Sequence, residues 1–195
     1  GTNVFVSQPL NLNDEQRYGF EFTSNYNPTK KVRLSASFNY FKFNTDAFSY
    51  TYTAQDNSQV TTNLAEVNES SWFARFNSRI TLPAKIEWQT RLMYRGPQNS
   101  AQSDQSGMFM ANLAFSKDIL KDKASLVLNV SDLFNSRKRE STTYYGGREN
   151  PSTISNGEFQ WRERQISLSF TYRFNQKKKR EKPSRENFEG GGGEF

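Results

Sequence analysis

The side chains that most enzyme chemistry needs are missing from this sequence. Its 195 residues include no His and no Cys, which excludes imidazole bases, serine–histidine triads, thiolate nucleophiles and metal sites built from Cys or His. Three kinds of chemically capable residue remain. Arg33, Arg75, Arg79, Arg91, Arg95, Arg164 and Arg173 are assigned to the polar face of extended segments, against only Glu21 and Glu87. Such a set can form a cationic wall that draws anions, or it can pair with carboxylates on neighbouring strands or on another segment. Tyr50 and Tyr52 alternate after Phe48, and Tyr144-Tyr145 precede Gly146-Gly147; exposed rings of this kind stack on sugars or flat ligands, or pack on adjacent loops. Asp132, in Ser131-Asp132-Leu133-Phe134-Asn135, has no partner carboxylate nearby, so it offers neither an acid–base pair nor a metal-ligand set. Asp and Asn at such a position serve a strand-end turn. The expectation is a non-enzyme with no cofactor and no metal.

Positioning these groups falls to extended chain. Only 34% of residues are hydrophobic, which resembles a disordered composition, yet 17 Phe, 9 Tyr and 3 Trp contradict that class. No run approaches the ~20 apolar residues of a membrane helix. The dominant period is two over about 9–12 residues, the length of a tilted membrane strand. Seven such segments stand out. Over 17–26, Tyr18, Phe20, Phe22 and Tyr26 share one face and Arg17, Glu21 and Asn25 the other. Over 32–40, Leu34, Ala36, Phe38 and Tyr40 oppose Arg33, Ser35 and Asn39. Over 72–82, Trp72, Phe76 and Ile80 oppose Arg75, Asn77 and Arg79. Over 86–95, Trp88, Leu92 and Tyr94 oppose Glu87, Arg91 and Arg95. The weakest, 108–117, places Phe109, Leu113 and Phe115 together. Leu126 and Leu128 share a face over 124–131. The last segment, 165–174, sets Ile166, Leu168, Phe170, Tyr172 and Phe174 against Ser167, Ser169 and Arg173.

The gaps alternate between short (27–31, 83–85, 118–123) and long (about 44–70, 96–107, 135–157). Short turns on one side and long loops on the other are the pattern of an outer-membrane β-barrel, with turns periplasmic and loops extracellular. Tyr18, Tyr40, Trp72 and Tyr94 fall at loop ends, whereas Tyr26, Trp88, Tyr172 and Phe174 fall near turn ends, as two aromatic girdles would. A soluble barrel or sandwich also alternates, but it needs neither girdles nor mid-strand arginines facing solvent. The lipid-facing set is therefore Tyr18, Phe20, Phe22, Leu34, Phe38, Trp72, Phe76, Trp88, Leu92, Tyr94, Leu126, Leu128, Leu168, Phe170 and Tyr172. The lumen-facing set is Arg33, Arg75, Arg79, Arg91, Arg95, Arg173, Glu21 and Glu87. Seven complete strands are an odd number, where a single-chain barrel has an even one, and only the end of an eighth is expected near Val4–Val6. The first strand runs from the loop side, so an upstream portion is expected, and Ile166 to Phe174 is the expected closing strand.

Five stretches carry a family likeness. Gln16-Arg17-Tyr18-Gly19-Phe20-Glu21, Leu92-Met93-Tyr94-Arg95-Gly96-Pro97-Gln98, Leu113-Ala114-Phe115-Ser116-Lys117-Asp118, Val130-Ser131-Asp132-Leu133-Phe134-Asn135 and Phe170-Thr171-Tyr172-Arg173-Phe174 resemble the C-terminal barrel of TonB-dependent outer-membrane receptors. More narrowly, they resemble the large outer-membrane barrel family of Bacteroidota, over residues 10–174. The resemblance implies an all-β transmembrane antiparallel barrel of about 22 strands with a plugged lumen, of which these are the last seven strands in an incomplete chain. It also implies an N-terminal plug, absent here, and an energy-coupling protein as partners. The function implied is uptake of a bulky nutrient or chelate; the alternative is a structural subunit of a larger outer-membrane complex, or a barrel caught during assembly.

Residues 1–174 thus form the barrel portion and 175–195 a basic, Gly-rich tail. Lys177-Lys178-Lys179-Arg180 would ordinarily point to nucleic acid, but a periplasmic end meets little of it. Outer-membrane lipid or a periplasmic or outer-membrane protein is the expected partner, with Phe188 and Phe195 as candidate anchors.

Overall fold

The computed structural model describes residues 14–54 and 57–174; the Val4–Val6 segment and the 175–195 tail with Phe188 and Phe195 lie outside the described residues. The chain runs β1 (Glu15–Thr29), β2 (Val32–Thr45), β3 (Phe48–Thr53), β4 (Gln59–Leu64), β5 (Val67–Leu82), β6 (Ile86–Arg95), β7 (Gln98–Asn99), β8 (Ser103–Gln105), β9 (Met108–Ile119), β10 (Ala124–Ser131), β11 (Lys138–Tyr145), β12 (Thr153–Gln160) and β13 (Gln165–Tyr172). The fold is all-β and antiparallel. A 7-stranded sheet takes the order β1-β2-β5-β6-β9-β10-β13, so the seven long strands follow one another in chain order. The three long gaps are not irregular loops: they carry the β3–β4 hairpin and a 4-stranded sheet of order β12-β11-β8-β7.

Register makes the alternation continuous across the sheet. Phe22 lies opposite Phe38, Phe38 opposite Ala74, Ala74 opposite Tyr94 and Tyr94 opposite Phe109. Tyr26 similarly leads through Leu34, Ser78, Thr90, Leu113 and Val130 to Ile166. The intervening rows are polar: Asn25, Ser35, Asn77, Arg91 and Asn112 stand in line. Because a one-residue slip would exchange the two faces of a strand, every one of these pairings depends on its neighbours.

The apolar face carries two aromatic bands. Phe20 meets Phe38 and Tyr40 at 5.9 and 5.8 Å, Phe38 meets Trp72 at 5.8 Å, and Trp72 stacks on Tyr94 at 4.3 Å. At the short-turn end Trp88 stacks on Phe115 at 6.0 Å and Tyr172 meets Phe174 edge-on at 5.6 Å. From Trp72 to the end of β5 is about ten residues, or about 25 Å along the membrane normal for a strand tilted by about 40°. That is the height of an apolar membrane band.

Turn chemistry fixes the short ends. Pro83–Lys85 form a 3₁₀ turn in which Ala84 and Lys85 take φ of 60° and 57°; proline lacks the N–H that a central ladder would use. Leu120, Lys121 and Asp122 take positive φ, closed by Lys123 N–H donating to Leu120 O at 3.2 Å. The first turn is tighter than 27–31: β1 continues through Pro28 to Thr29, with the register shifting between Tyr26 and Thr29. A bulge absorbs the residue that cannot donate. β1, β2 and β5 also extend past their alternating segments at the long-loop end, where Phe43 and Val67 are buried, as is Leu64 at the end of β4. Gly19, opposite Phe41, is fixed by close approach, since a Cβ there would lie 2.0 Å from Tyr40 O.

Leu128 sits between Phe115 and Leu168 on the apolar face, and Asn129 lies beside it on the polar one. Leu128→Arg is expected to cost about 2–4 kcal/mol in bilayer folding titrations and Asn129→Arg close to nothing. Equal costs would reverse or remove the assigned facing.

Candidate functional site

The polar face encloses a trough of about 1220 Å³ whose lining includes Asn25, Arg33, Asn77, Arg91, Asn112 and Asn129. Its charge arrangement follows from register. Arg33 lies directly opposite Arg79, and like charges so placed repel. Arg79 turns away to Glu87, its Nε and Nη2 donating to one carboxylate oxygen at 2.9 and 2.5 Å. Arg33 is left without a carboxylate partner among the described residues. Arg91 donates to Asn77 Oδ1 at 3.3 Å, and Asn77 donates in turn to Ser35 Oγ at 3.2 Å. Arg75 lies 5.2 Å from the Phe73 ring centre, and Arg95 donates to Gln98 Oε1. Arg173 closes the short-turn rim, donating to Asp122 O at 2.9 Å and Asp118 Oδ1 at 3.3 Å.

Two expectations about charge need correction. Arg164 is not on the wall: it lies between β12 and β13, its N–H donating to Asn135 Oδ1 and its guanidinium to Leu133 O at 3.0 and 3.2 Å. The alternation of 165–174 does not reach back through Trp161-Arg162-Glu163, where the chain turns. Nor are Glu21 and Glu87 the polar face's only acids. Because the strands are longer than the alternation that marks them, Glu15, Glu69 and Asp118 share that face, and Glu15 binds Arg17 at 2.8 Å.

The Ser131–Asn135 stretch is a built corner. Asp132 is 4% exposed and takes φ of 52°. Its carboxylate accepts Ser136 N–H and Arg137 N–H, each at 3.0 Å, while its own N–H donates to Asn112 Oδ1 at 2.8 Å. Asn135 Oδ1 also accepts from Gln160 Nε2 at 3.0 Å. The carboxylate is thus consumed in shaping the root of the β11–β12 hairpin, and the Asp132 N–H together with the Ser136 hydroxyl, which donates to Phe109 O at 2.8 Å, holds that root against β9. Among the described residues no three acidic side chains gather as a metal-ligand group.

At the long-loop end the four candidate tyrosines behave differently. Tyr50 and Tyr52 stack on each other at 6.1 Å on one face of the β3–β4 hairpin, and Tyr145 is 40% exposed. Tyr144 is engaged: its hydroxyl donates to Asp104 Oδ2 at 2.9 Å, Arg148 pairs with the other oxygen of Asp104, and the guanidinium lies 5.3 Å from the Tyr144 ring centre. The hydrogen bond to Asp104 is the main cause that raises the Tyr144 pKa above 10.0; partial burial and the charge of Asp104 add to it and Arg148 opposes it. Asp104 escapes sequence reasoning because it lies forty residues from Tyr144 and only the β8–β11 pairing brings them together. Gly147, at φ of 99°, packs where a Cβ would meet Asn63 O at 2.5 Å, which seats this sheet against the β3–β4 hairpin.

Comparison with known proteins gives one family. The sequence model of the outer membrane protein beta-barrel family matches residues 1–172. No curated protein and no solved structure matches.

Two outcomes test the long-loop architecture. Asp104→Asn is expected to bring Tyr144 ionisation, followed by phenolate absorbance, back down toward 10.0. In the unsubstituted protein the contact persists below that pH and is lost as pH rises through the raised value, because the folded state holds the phenol proton more tightly. Asp132→Ala strands two backbone N–H groups and is expected to cost about 1–3 kcal/mol of stability, together with faster proteolysis of the β11–β12 hairpin; an unchanged cleavage rate would deny Asp132 its corner role.

Proposed function

The chain belongs to the outer membrane protein beta-barrel family, and on that premise we propose that its seven long strands wall a transport barrel that takes up a bulky anionic nutrient or chelate. The observation carrying this reading is the surplus of guanidinium on the polar face: Arg33, Arg75, Arg91 and Arg95 have no carboxylate partner among the described residues. A cationic surface bounded by low-dielectric walls concentrates anions. A purely structural subunit has no use for a lumen wall of unpaired charge. The five stretches similar to TonB-dependent receptors support an energised, plugged mode of uptake, with the long-loop end outside the cell.

The test is depletion of medium components, followed by mass spectrometry in cells carrying the full protein, cells lacking it and cells carrying Arg33→Gln/Arg91→Gln at equal outer-membrane abundance. At least one anionic solute is expected to disappear only when the protein is present, several-fold more slowly with the double variant, and not at all after a protonophore collapses the inner-membrane gradient. If no component depends on the protein while a co-purifying outer-membrane assembly falls apart without it, the scaffold role replaces transport.

A further inference from the structure

Apart from the isolated Ala114 and Val127, the alternation of the inner wall breaks at one level. On four adjacent strands, the inner-face neighbour of a long-loop girdle aromatic is itself apolar: Phe41 beside Tyr40, Phe73 beside Trp72, Met93 beside Tyr94, and Met108 and Met110 flanking Phe109. Register makes these five one surface. Phe41 opposes Ser71 while Asn39 opposes Phe73, which sets the two rings diagonally across β2 and β5. Phe73 opposes Arg95, and Arg75 opposes Met93. Met93 faces Met110 and Arg95 faces Met108. All five side chains are half-buried, and the three methionines are every Met in the chain.

A water-filled or plugged lumen calls for polar lining, so a slanting apolar collar on the inner wall needs another reason. Arg75 and Arg95 stand within it, both exposed. Arg75 rests over Phe73 and Arg95 donates only to a neutral amide. Arg17 lies 5.2 Å from the Phe41 ring centre but is already neutralised by Glu15. Methionine is flexible and polarisable and moulds to irregular apolar bodies; Phe and guanidinium faces accept flat groups. A small inorganic anion would be served by the polar trough, and a neutral apolar solute would leave two guanidinium groups unused.

We infer that this collar binds an amphipathic organic anion, its apolar, preferably aromatic body on Phe41, Phe73 and the methionines and its anionic group on Arg75 and Arg95. This rests on the transport reading and gives it a solute class at the long-loop mouth.

The experiment uses the full protein in lipid nanodiscs with ¹³C-methyl methionine and three probes: 2-naphthoate, 2-naphthalenemethanol and inorganic phosphate. Naphthoate should shift the Met93, Met108 and Met110 methyl signals saturably, with a Kd at least tenfold below that of the alcohol, and phosphate should leave them in place. Arg75→Gln/Arg95→Gln should raise the naphthoate Kd tenfold or more and leave the alcohol's unchanged, the latter serving as the check on folding. Equal binding of naphthoate and alcohol, shifts of equal size with phosphate, or signals that no probe reaches because another segment covers the collar would each overturn the inference. Solute depletion that persists while naphthoate fails to bind discards the collar alone; naphthoate binding without any protein-dependent depletion discards the transport reading alone.

Discussion

Hydrocarbon offers no hydrogen-bond partner, so every main-chain N–H and C=O that crosses it must be satisfied within the sheet. The rest of this structure follows from that requirement. It forces the long strands into consecutive antiparallel pairs, and it constrains their register, since a one-residue slip would turn the greasy face of a strand inward. It also explains where the sequence places residues that cannot join a ladder. Pro28 lies in a bulge at a strand end and Pro83 opens a turn, both at the short-turn margin, while Pro97 follows the long-loop end of β6.

Fixed register turns a sequence of alternating residues into two surfaces with different chemistry. One is a band rich in Leu, Ala, Val and Ile between rows of rings, the rings in continuous contact from Phe20 through Phe38 and Trp72 to Tyr94. The other is a trough whose charges were dealt out by the same alignment: Arg33 faces Arg79, which is why Arg79 leans to Glu87 and Arg33 remains uncompensated. Above the sheet, the β8–β11 pairing and the Gly147 contact with Asn63 join the long connections into a cap. The buried Asp132 corner ties that cap to β9 and β10. Loop position therefore depends on the same ladder as the wall.

The seven strands and their facing were legible because a period of two is a local signal: β6, from Ile86 to Arg95, is bounded by the residues that alternation alone marks. Strand ends were less so. Alternation stops marking β1, β2 and β5 beyond the loop-end rings, where Glu15-Gln16 and Asn68 to Ser71 are polar on both faces and β2 reverses phase at Phe41 and Phe43, and this hid Glu15 and Glu69 from the count of inner-face acids. The corner role of Asp132 was readable from turn chemistry. Arg164 shares the parity of Ile166 and Leu168, so alternation itself sets it off the polar face, and its bonds to Asn135 and Leu133 show where it lies. The Tyr144–Asp104 contact was invisible, being a product of tertiary pairing. The apolar collar was hidden differently: Tyr40-Phe41 and Trp72-Phe73 look like noise in the period until register sets Phe41 and Phe73 diagonally across β2 and β5.

The central claim is that the even-numbered face of a strand such as β6 meets lipid and the odd-numbered face meets an aqueous lumen. Since the chain has no Cys, single cysteines can be placed one at a time from Ile86 to Arg95, nitroxide-labelled and measured by EPR in bilayers against oxygen and a polar nickel chelate. The account predicts a period of two, with oxygen exposure high and chelate exposure low at Trp88, Thr90, Leu92 and Tyr94, and the reverse at Glu87, Gln89 and Arg91. Chelate exposure that is uniform along the strand, or a period of two with the faces exchanged, would contradict it.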